Sequence, residues 1–380
     1  MATAVVSSSS ALKRKKWMRE GLIQASSKSF WSPYTGMSME SLIFQVNNES
    51  PSDGNNVTFD FDGNLVGKAI KGKNTAFGNG EQKRKFSTSV SVDRYRLVTD
   101  NGDKFDAVDI GDLNITQHTD SRMKLGDLFV RFKDQAIFDT AQGYKDGVVP
   151  THTIQLNAST NALTYTNLVT VEKSLRTGTG YMTGAFGSGT AASQRAPLKP
   201  YRLEDGRSIW LLVVDPFTAA NIKGNTAAGG IMSIAQSADL RGSGNRVFRG
   251  ILGKIGQLIL VEAEAFFGTS TSNGLEGTEV EISGMRQYDA TNSAWSGESS
   301  YASAEYSRNL IMGEGAIQLA FGKQPDYKFQ ESNDFGIKSE SAVEFWMNSQ
   351  KTNLTAENSD YSKAKRAALD YGVIAFDVKL

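Results

Sequence analysis

The stretch HTDSRMKLGDLFVRFKDQAIFDTAQG, residues 118–143, carries the longest helical pattern in the chain. Leu125, Leu128, Phe129, Phe132 and Ala136 recur on one face of a 3.6-residue period. Asp120 or Ser121 can cap the start by accepting an orphan backbone N–H. Gly143 suits the left-handed residue just past the end. Asp127 stands four residues before Arg131, the better orientation for an ion pair on the wet side. The pattern predicts a helix over 118–143, with a rod of roughly 33 Å between its cap residues. In a chain otherwise made of short strands and glycine, such a rod is either the support for other layers or simply the core helix of an α+β domain.

The totals narrow the chemistry. A chain of 380 residues exceeds one ordinary core, and about two or three domains are expected. Lysine plus arginine is 41 and aspartate plus glutamate is 41, so the net charge is zero. That argues against a dedicated DNA reader with a broad basic face. The absence of cysteine excludes disulfides, thiolate metal sites and cysteine nucleophiles. The two histidines, His118 and His152, are too few for a three-histidine zinc site. The opening MATAVVSSSS precedes its charges, the reverse of a secretory signal. No apolar run is long enough to span a membrane.

Outward from the rod, the N-terminal side reads as an arm and then a ribbon. Lys13, Arg14, Lys15, Lys16 and Arg19 either touch phosphates or form a solvated charge run. In FWSPYTGMSMESLIFQV, Phe30, Trp31, Tyr34 and five further apolar residues crowd together. They need cover from the parent fold or from a neighbouring subunit. VTFDFDG and KFSTSVSVDRYRL both alternate with a period of two, as half-buried strands do. About twenty residues join them, far beyond the usual hairpin loop of about 2–5. This connection is basic, with Lys68, Lys71, Lys73, Lys83, Arg84 and Lys85 against Glu81. A two-stranded ribbon alone is marginal in water, so it should lie on another molecule. The ribbon also contains Gly67-x-x-x-x-Gly72-Lys73, which imitates a phosphate-binding loop. Asn74 replaces the magnesium-binding hydroxyl, and the motif needs a strand before it and a helix after it.

Beyond the rod, HTIQLNA and LTYTNLVTVEKSL read as short β-like runs, and RTGTGYMTGAFGSGTAAS as a loop. A second unit begins near Arg202. Residues 209–214 form a buried-strand run, and Asp215-Pro216 suits a capped helix start. GIMSIAQSADL reads as a possible second helix, and 258–261 as a second apolar strand. Residues 268–306 read as a polar excursion. ESAVEFWMN and DYGVIAFDVKL read as strands that rejoin the first unit, with the second unit inserted between. For catalysis, Glu262 with Glu264 on a strand and Glu340 with Glu344 on a helix face are the candidate carboxylate pairs. Without a pocket or cofactor motif, both read as solvated surface. No catalytic residue, cofactor or metal is expected.

Taken in order, several segments resemble a known family. They are YTGMSMESLIFQV (34–46), VTFDFDGNLVG, FSTSVSVDRYR, DSRMKLGDLFVRFKDQAIFD, DGRSIWLLVVDPFTAANIK, NRVFRGILGKIGQLILVEAE, LIMGEGAIQLAFGK and DYGVIAFDV. Together they resemble the major capsid proteins typified by coliphage N4, a branch of the HK97-like coat fold. The resemblance implies an α+β chain with an N-terminal arm (1–54) and an extended hairpin (55–99). It also implies a peripheral domain (100–201) carrying the spine helix, an axial domain (202–324) and a C-terminal return to the peripheral domain (325–380). It implies self-assembly into hexamers and pentamers of an icosahedral phage head, built in the host cytoplasm. Partners would be the portal, scaffolding or decoration proteins, and weakly held double-stranded DNA, with no membrane. Contacts between subunits would come from Lys68, Ile70, Lys71, Lys73, Phe77 and Arg84 on the hairpin and from Phe30, Trp31 and Tyr34 on the arm. Lys13, Arg14, Lys15 and Lys16 would face DNA. No motif for a Lys–Asn cross-link is found. Two other readings stay open, a protein-cargo compartment of the same fold and a β-rich glycan-binding protein or hydrolase.

Overall fold

The computed structural model describes residues 29–38, 40–47, 56–62, 67, 69–80, 85–103, 113–145, 150, 152–156, 164–183, 190–191, 198–204, 206–224, 251–269, 277–289, 294–295, 306–333, 338–354 and 369–379. The architecture is α+β and rich in strands. Its main helix, α1 (Leu113–Gln142), is 30 residues long, or about 45 Å. It begins five residues before the expected start. Asp120 and Ser121 therefore lie inside the helix, not at its cap. The Ser121 hydroxyl instead donates to the side chain of Asn101 on strand β4 (Asp93–Asp103). The far end follows the sequence, since Gly143 takes φ 82° and its N–H returns to Asp139 O. Asp127 and Arg131 pair at 3.2 Å.

Two sheets clasp this helix. One has five strands in the order Thr35–Gly36, β1 (Ile43–Asn47), β9 (Ile317–Asn333), β10 (Lys338–Lys351) and β4. In the other, β7 (Leu258–Glu262) lies parallel to β6 (Arg207–Val214), and β6 antiparallel to β8 (Tyr306–Met312). Strand β11 (Val373–Lys379) then joins β8 antiparallel and β5 (Thr153–Leu156) parallel.

The large sheet is buried on both faces, which is why 209–214 reads as an unbroken apolar run. Leu211, Val213, Leu310 and Met312 share a core with Phe129, Ala136 and Phe138 of α1, and with Leu319 and Phe345 of the five-stranded sheet. Trp210, Leu212, Val214 and Phe376 face the other way, onto α2 (Tyr165–Thr177) and α3 (Pro216–Gly224). As expected, Asp215 caps α3, accepting from Thr218 N at 2.9 Å.

Two readings are corrected. LTYTNLVTVEKSL contains a helix, α2, because Leu168, Val171 and Leu175 bury one face at helical spacing despite its β-branched residues. Thr164 accepts from Asn167 N at its start, and Gly178 ends it at φ 70°. Both tail strands return to chain that precedes residue 202: β10 pairs with β4, and β11 enters the large sheet between β8 and β5. The reason for the latter is composition, since Val373 to Val378 are all buried and demand cover on both faces. Glu340 and Glu344 stand on strand β10, not on a helix. GIMSIAQSADL lies outside the described residues.

Several buried polar groups on the C-terminal half of the helix have specific partners. Asp139 accepts from Arg286 at 2.6 and 3.1 Å, and Arg286 lies between the rings of Tyr144 and Phe266 at 3.9 and 3.8 Å. Gln142 donates to the carbonyls of Arg286 and Arg308 and accepts from Arg286 N, each at 2.9 Å. Arg308 and Asp377 face each other across β8 and β11 and join through two bonds of 2.8 and 2.9 Å. Burial pushes the Asp139 and Asp377 carboxyls up, while the facing guanidinium groups pull against it. On the five-stranded sheet, buried Glu344 meets Arg94 at 2.6 Å, Lys323 at 3.8 Å and Lys328. The Lys328 hydrogen bond holds its carboxyl below the usual glutamate range.

Removing one partner of a buried pair strands the other charge. Asp377→Ala should therefore cost about 3–5 kcal/mol in denaturant unfolding, whereas Arg308→Met with Asp377→Leu should cost far less. The Glu344 cluster predicts a pH signature. A carboxyl lowered in the folded state contributes fully above its unfolded value and loses that contribution as pH falls through the folded value. The melting-temperature gap between wild type and Glu344→Gln should accordingly narrow between about pH 6 and about pH 3.

Candidate intersubunit surface

The ribbon forms as its alternation requires. Strands β2 (Asn56–Asp62) and β3 (Lys85–Ser91) pair antiparallel, from Asn56 opposite Ser91 to Asp62 opposite Lys85. Val57, Phe59 and Val90 turn inward with Val92 and are at most 4% exposed. They cover Ala320, Phe44, Val46 and Trp346 on the five-stranded sheet, the face opposite the helix. Phe44 and Phe59 meet edge to face at 5.3 Å, and Gln318 donates to Thr88 at 2.6 Å. The base of the ribbon is thus bound to its own chain.

The tip is not. Residues 69–80 are all exposed. Phe77 stands 95% exposed and Ile70 41%, with exposed Lys71 and Lys73 between them in the sequence. Asn79 N bonds Ala76 O at 3.2 Å and its side chain bonds Thr75 O at 2.9 Å, a local turn with its apolar groups outside. A Cβ added at Gly72, Gly78 or Gly80 would meet nothing within 4 Å. Such full exposure of a phenylalanine marks an interaction surface when it sits among other apolar and basic groups. The phosphate-loop imitation lies on this tip and leads to a strand, so the context it needs is missing. Lys68 and Arg84 lie outside the described residues.

The arm behaves differently. Ser29 donates to Asp134 at 2.8 Å, and Phe30 N does the same at 2.8 Å. Burial raises the Asp134 carboxyl, against Lys133, Ser29 and the backbone donors. Trp31 is 0% exposed, with its ring 4.8 Å from Phe138 of the helix. Phe30 packs on the same ring at 5.4 Å, and Tyr34 meets Tyr201 at 6.2 Å. This corrects the expectation for Trp31: its cover is its own spine helix, so it has no surface left for a neighbour. Phe30 and Tyr34 are half-buried in the same cluster. Lys13, Arg14, Lys15 and Lys16 lie outside the described residues.

The acid–base candidates come apart. Glu262 is paired with Lys223 at 2.7 Å, and Glu344 is enclosed by its cations. His152 is buried, its ring 5.7 Å from that of Tyr181; the side chain of His118 lies outside the described residues. Among the described residues, no group of three His, Asp or Glu could hold a metal ion. Among the described residues, no helix is long and apolar enough to cross a membrane. What the described surface presents is an apolar and basic tip on an anchored ribbon.

Known proteins share this fold. No curated protein sequence matches the chain. The model of a phage capsid protein family matches residues 5–193. The capsid structure of Ralstonia phage GP4 is similar at 19% identity and a TM-score of 0.62, over 93% of this chain and 91% of that one. The acid-stable capsid of Helicobacter pylori bacteriophage KHP30 is similar at 15% identity and a TM-score of 0.64, over 93% and 91%. The capsid asymmetric unit of cyanophage Pam1 is similar at 11% identity and a TM-score of 0.55, over 100% and 96%. Family match and shared fold converge, and the chain belongs to the phage capsid proteins.

Proposed function

We propose that this major capsid protein closes its shell by laying the tip of its ribbon on a neighbouring copy, in hexamers and pentamers of an icosahedral head that encloses double-stranded DNA. The observation that carries this is the contrast within one ribbon. Its base is buried on the five-stranded sheet while Phe77 and Ile70 at its tip stand in solvent. Fully burying a phenylalanine contributes about 1.5–3 kcal/mol, against about 0–1 kcal/mol for an exposed ion pair. Phe77 is therefore the anchor, and Lys68, Lys71, Lys73 and Arg84 supply register. Repetition over a closed shell multiplies such modest contacts.

The HK97-like division fits the two sheets. The five-stranded sheet with α1 corresponds to the peripheral domain and the large sheet to the axial domain. Strands β5 and β11 then serve the axial domain, although they come from outside 202–324. Assembly would take place in the host cytoplasm, with a portal and scaffolding or decoration proteins as partners. Lys13, Arg14, Lys15 and Lys16 would contact DNA weakly. A chain of zero net charge suits this role, because a shell that bound phosphates tightly would hinder passage of DNA.

Deleting residues 66–83 should leave a subunit with unchanged circular dichroism that yields no shells by negative-stain microscopy. Normal particles from the deletion would refute the role given to the ribbon.

A further inference from the structure

Among the described residues, the dipeptide Asn-Gly occurs at two places, and the fold treats them in opposite ways. Asn79-Gly80 lies on the ribbon tip. Both residues are exposed and belong to no helix or strand. The Asn79 side chain donates to Thr75 O at 2.9 Å, and Asn79 N to Ala76 O at 3.2 Å. These bonds fold the turn. Among the described residues, none bonds the side-chain oxygen of Asn79 or the Gly80 N–H. The space around Gly80 is open, since an added Cβ would meet nothing within 4 Å. Asn101-Gly102 lies on strand β4 instead. Asn101 is buried, accepts from the Ser121 hydroxyl and donates to Ser341 at 2.9 Å. Asn74 gives a third environment. It is as exposed as Asn79, but Thr75 follows it, a β-branched residue that crowds its own backbone nitrogen.

We infer that Asn79 is a site of spontaneous modification, at which the Gly80 nitrogen attacks the Asn79 side-chain carbon and expels ammonia. The Gly80 N–H gives its proton to water and the nitrogen bonds Asn79 Cγ. The Cγ–Nδ2 bond breaks, and Nδ2 leaves with a proton as ammonia. A succinimide ring remains. Water then opens the ring at either carbonyl, which leaves aspartate or a β-linked isoaspartate. Water is consumed and ammonia released, with no oxidant or metal. Glycine suits the attacking position because it has no side chain to hinder the approach. The product changes the tip in two ways. Residues 69–80 carry two lysines and no acidic residue, so a formal charge of +2 falls to +1. A carboxylate cannot donate to Thr75 O, so the side-chain bond that folds the turn is lost. Free subunits therefore age at the surface by which they would assemble. That consequence rests on the shell reading above; the modification itself does not.

Peptide mass spectrometry of the full chain reads all three asparagines at once. The purified, unassembled protein is held at neutral pH and physiological temperature, then digested with trypsin. A zero-time sample corrects for conversion during digestion. Peptide 74–83 carries Asn74 and Asn79 together, and peptide 97–104 carries Asn101. Asn79 should convert from amide to acid first, with isoaspartate among the products. Asn101 reacts only after local unfolding, so it should convert roughly tenfold or more slowly. Gly80→Ala should slow Asn79 by roughly tenfold, because the added Cβ crowds a nitrogen that glycine leaves open. The tip has room for that Cβ, so the variant folds as wild type does. Conversion of Asn79 no faster than that of Asn74 or Asn101, or an unchanged rate in Gly80→Ala, would overturn the assignment. Asn79→Asp supplies the product charge in advance. Its particle yield should fall by roughly threefold or more, through weakened charge complementarity at the tip. Wild-type yield from Asn79→Asp would overturn the consequence for assembly. Failure of the wild-type chain to form particles would instead remove the shell reading itself.

Discussion

From Asp134 to Tyr144 every residue of the spine helix and its terminus is buried. A helix enclosed on all sides cannot leave polar groups to water, so each must find a partner inside the protein. This constraint organises the fold. Asp134 takes the arm through Ser29 and Phe30, and Gln135 takes Gly284 N. Asp139 takes Arg286, Thr140 takes Ser349 of β10, and Gln142 takes the backbone at Arg286 and Arg308. Five polar side chains thus tie one rod to the arm, the polar excursion and both sheets. Because half-satisfied buried networks are costly, these ties make the relative placement of the sheets specific as well as stable.

That rigidity is what an exposed ribbon tip needs to be useful. Val57, Phe59 and Val90 fix the ribbon's base to the sheet that covers the helix. A contact repeated many times tolerates weak pairing but not variable geometry, since closure of a ring depends on the angle between copies. The buried seam and the exposed tip are in this sense one device. In the proposed shell, one sets the angle and the other makes the contact.

Much of this was legible in the residues. The rod, the ribbon, the double-faced strand at 209–214 and the Asp215 cap follow from periodicity and turn chemistry alone. What was hidden had physical causes. The helix start was misplaced because Ser121, a good cap, spends its hydroxyl on Asn101. The β-branched residues of α2 mimic a strand until Leu168, Val171 and Leu175 are seen to bury one face. The arm's aromatic cluster signalled a need for cover but not its source, and Trp31 found that cover on Phe138. The seam between the helix and the segment around Val280 was invisible because its two sides lie about 150 residues apart, joined by Arg131 to the carbonyls of Val280 and Glu281. No local pattern announces such a juxtaposition.

The central claim is that the ribbon tip is bare in one copy and covered in the assembly. The absence of native cysteine makes a direct measurement clean. A single Ala76→Cys substitution places one thiol on the tip, and its rate of alkylation can be compared between dissociated subunits and assembled particles. The account predicts rapid labelling of the subunit and strong protection in the particle. Equal rates in the two states, or a thiol already protected in the isolated subunit, would contradict it.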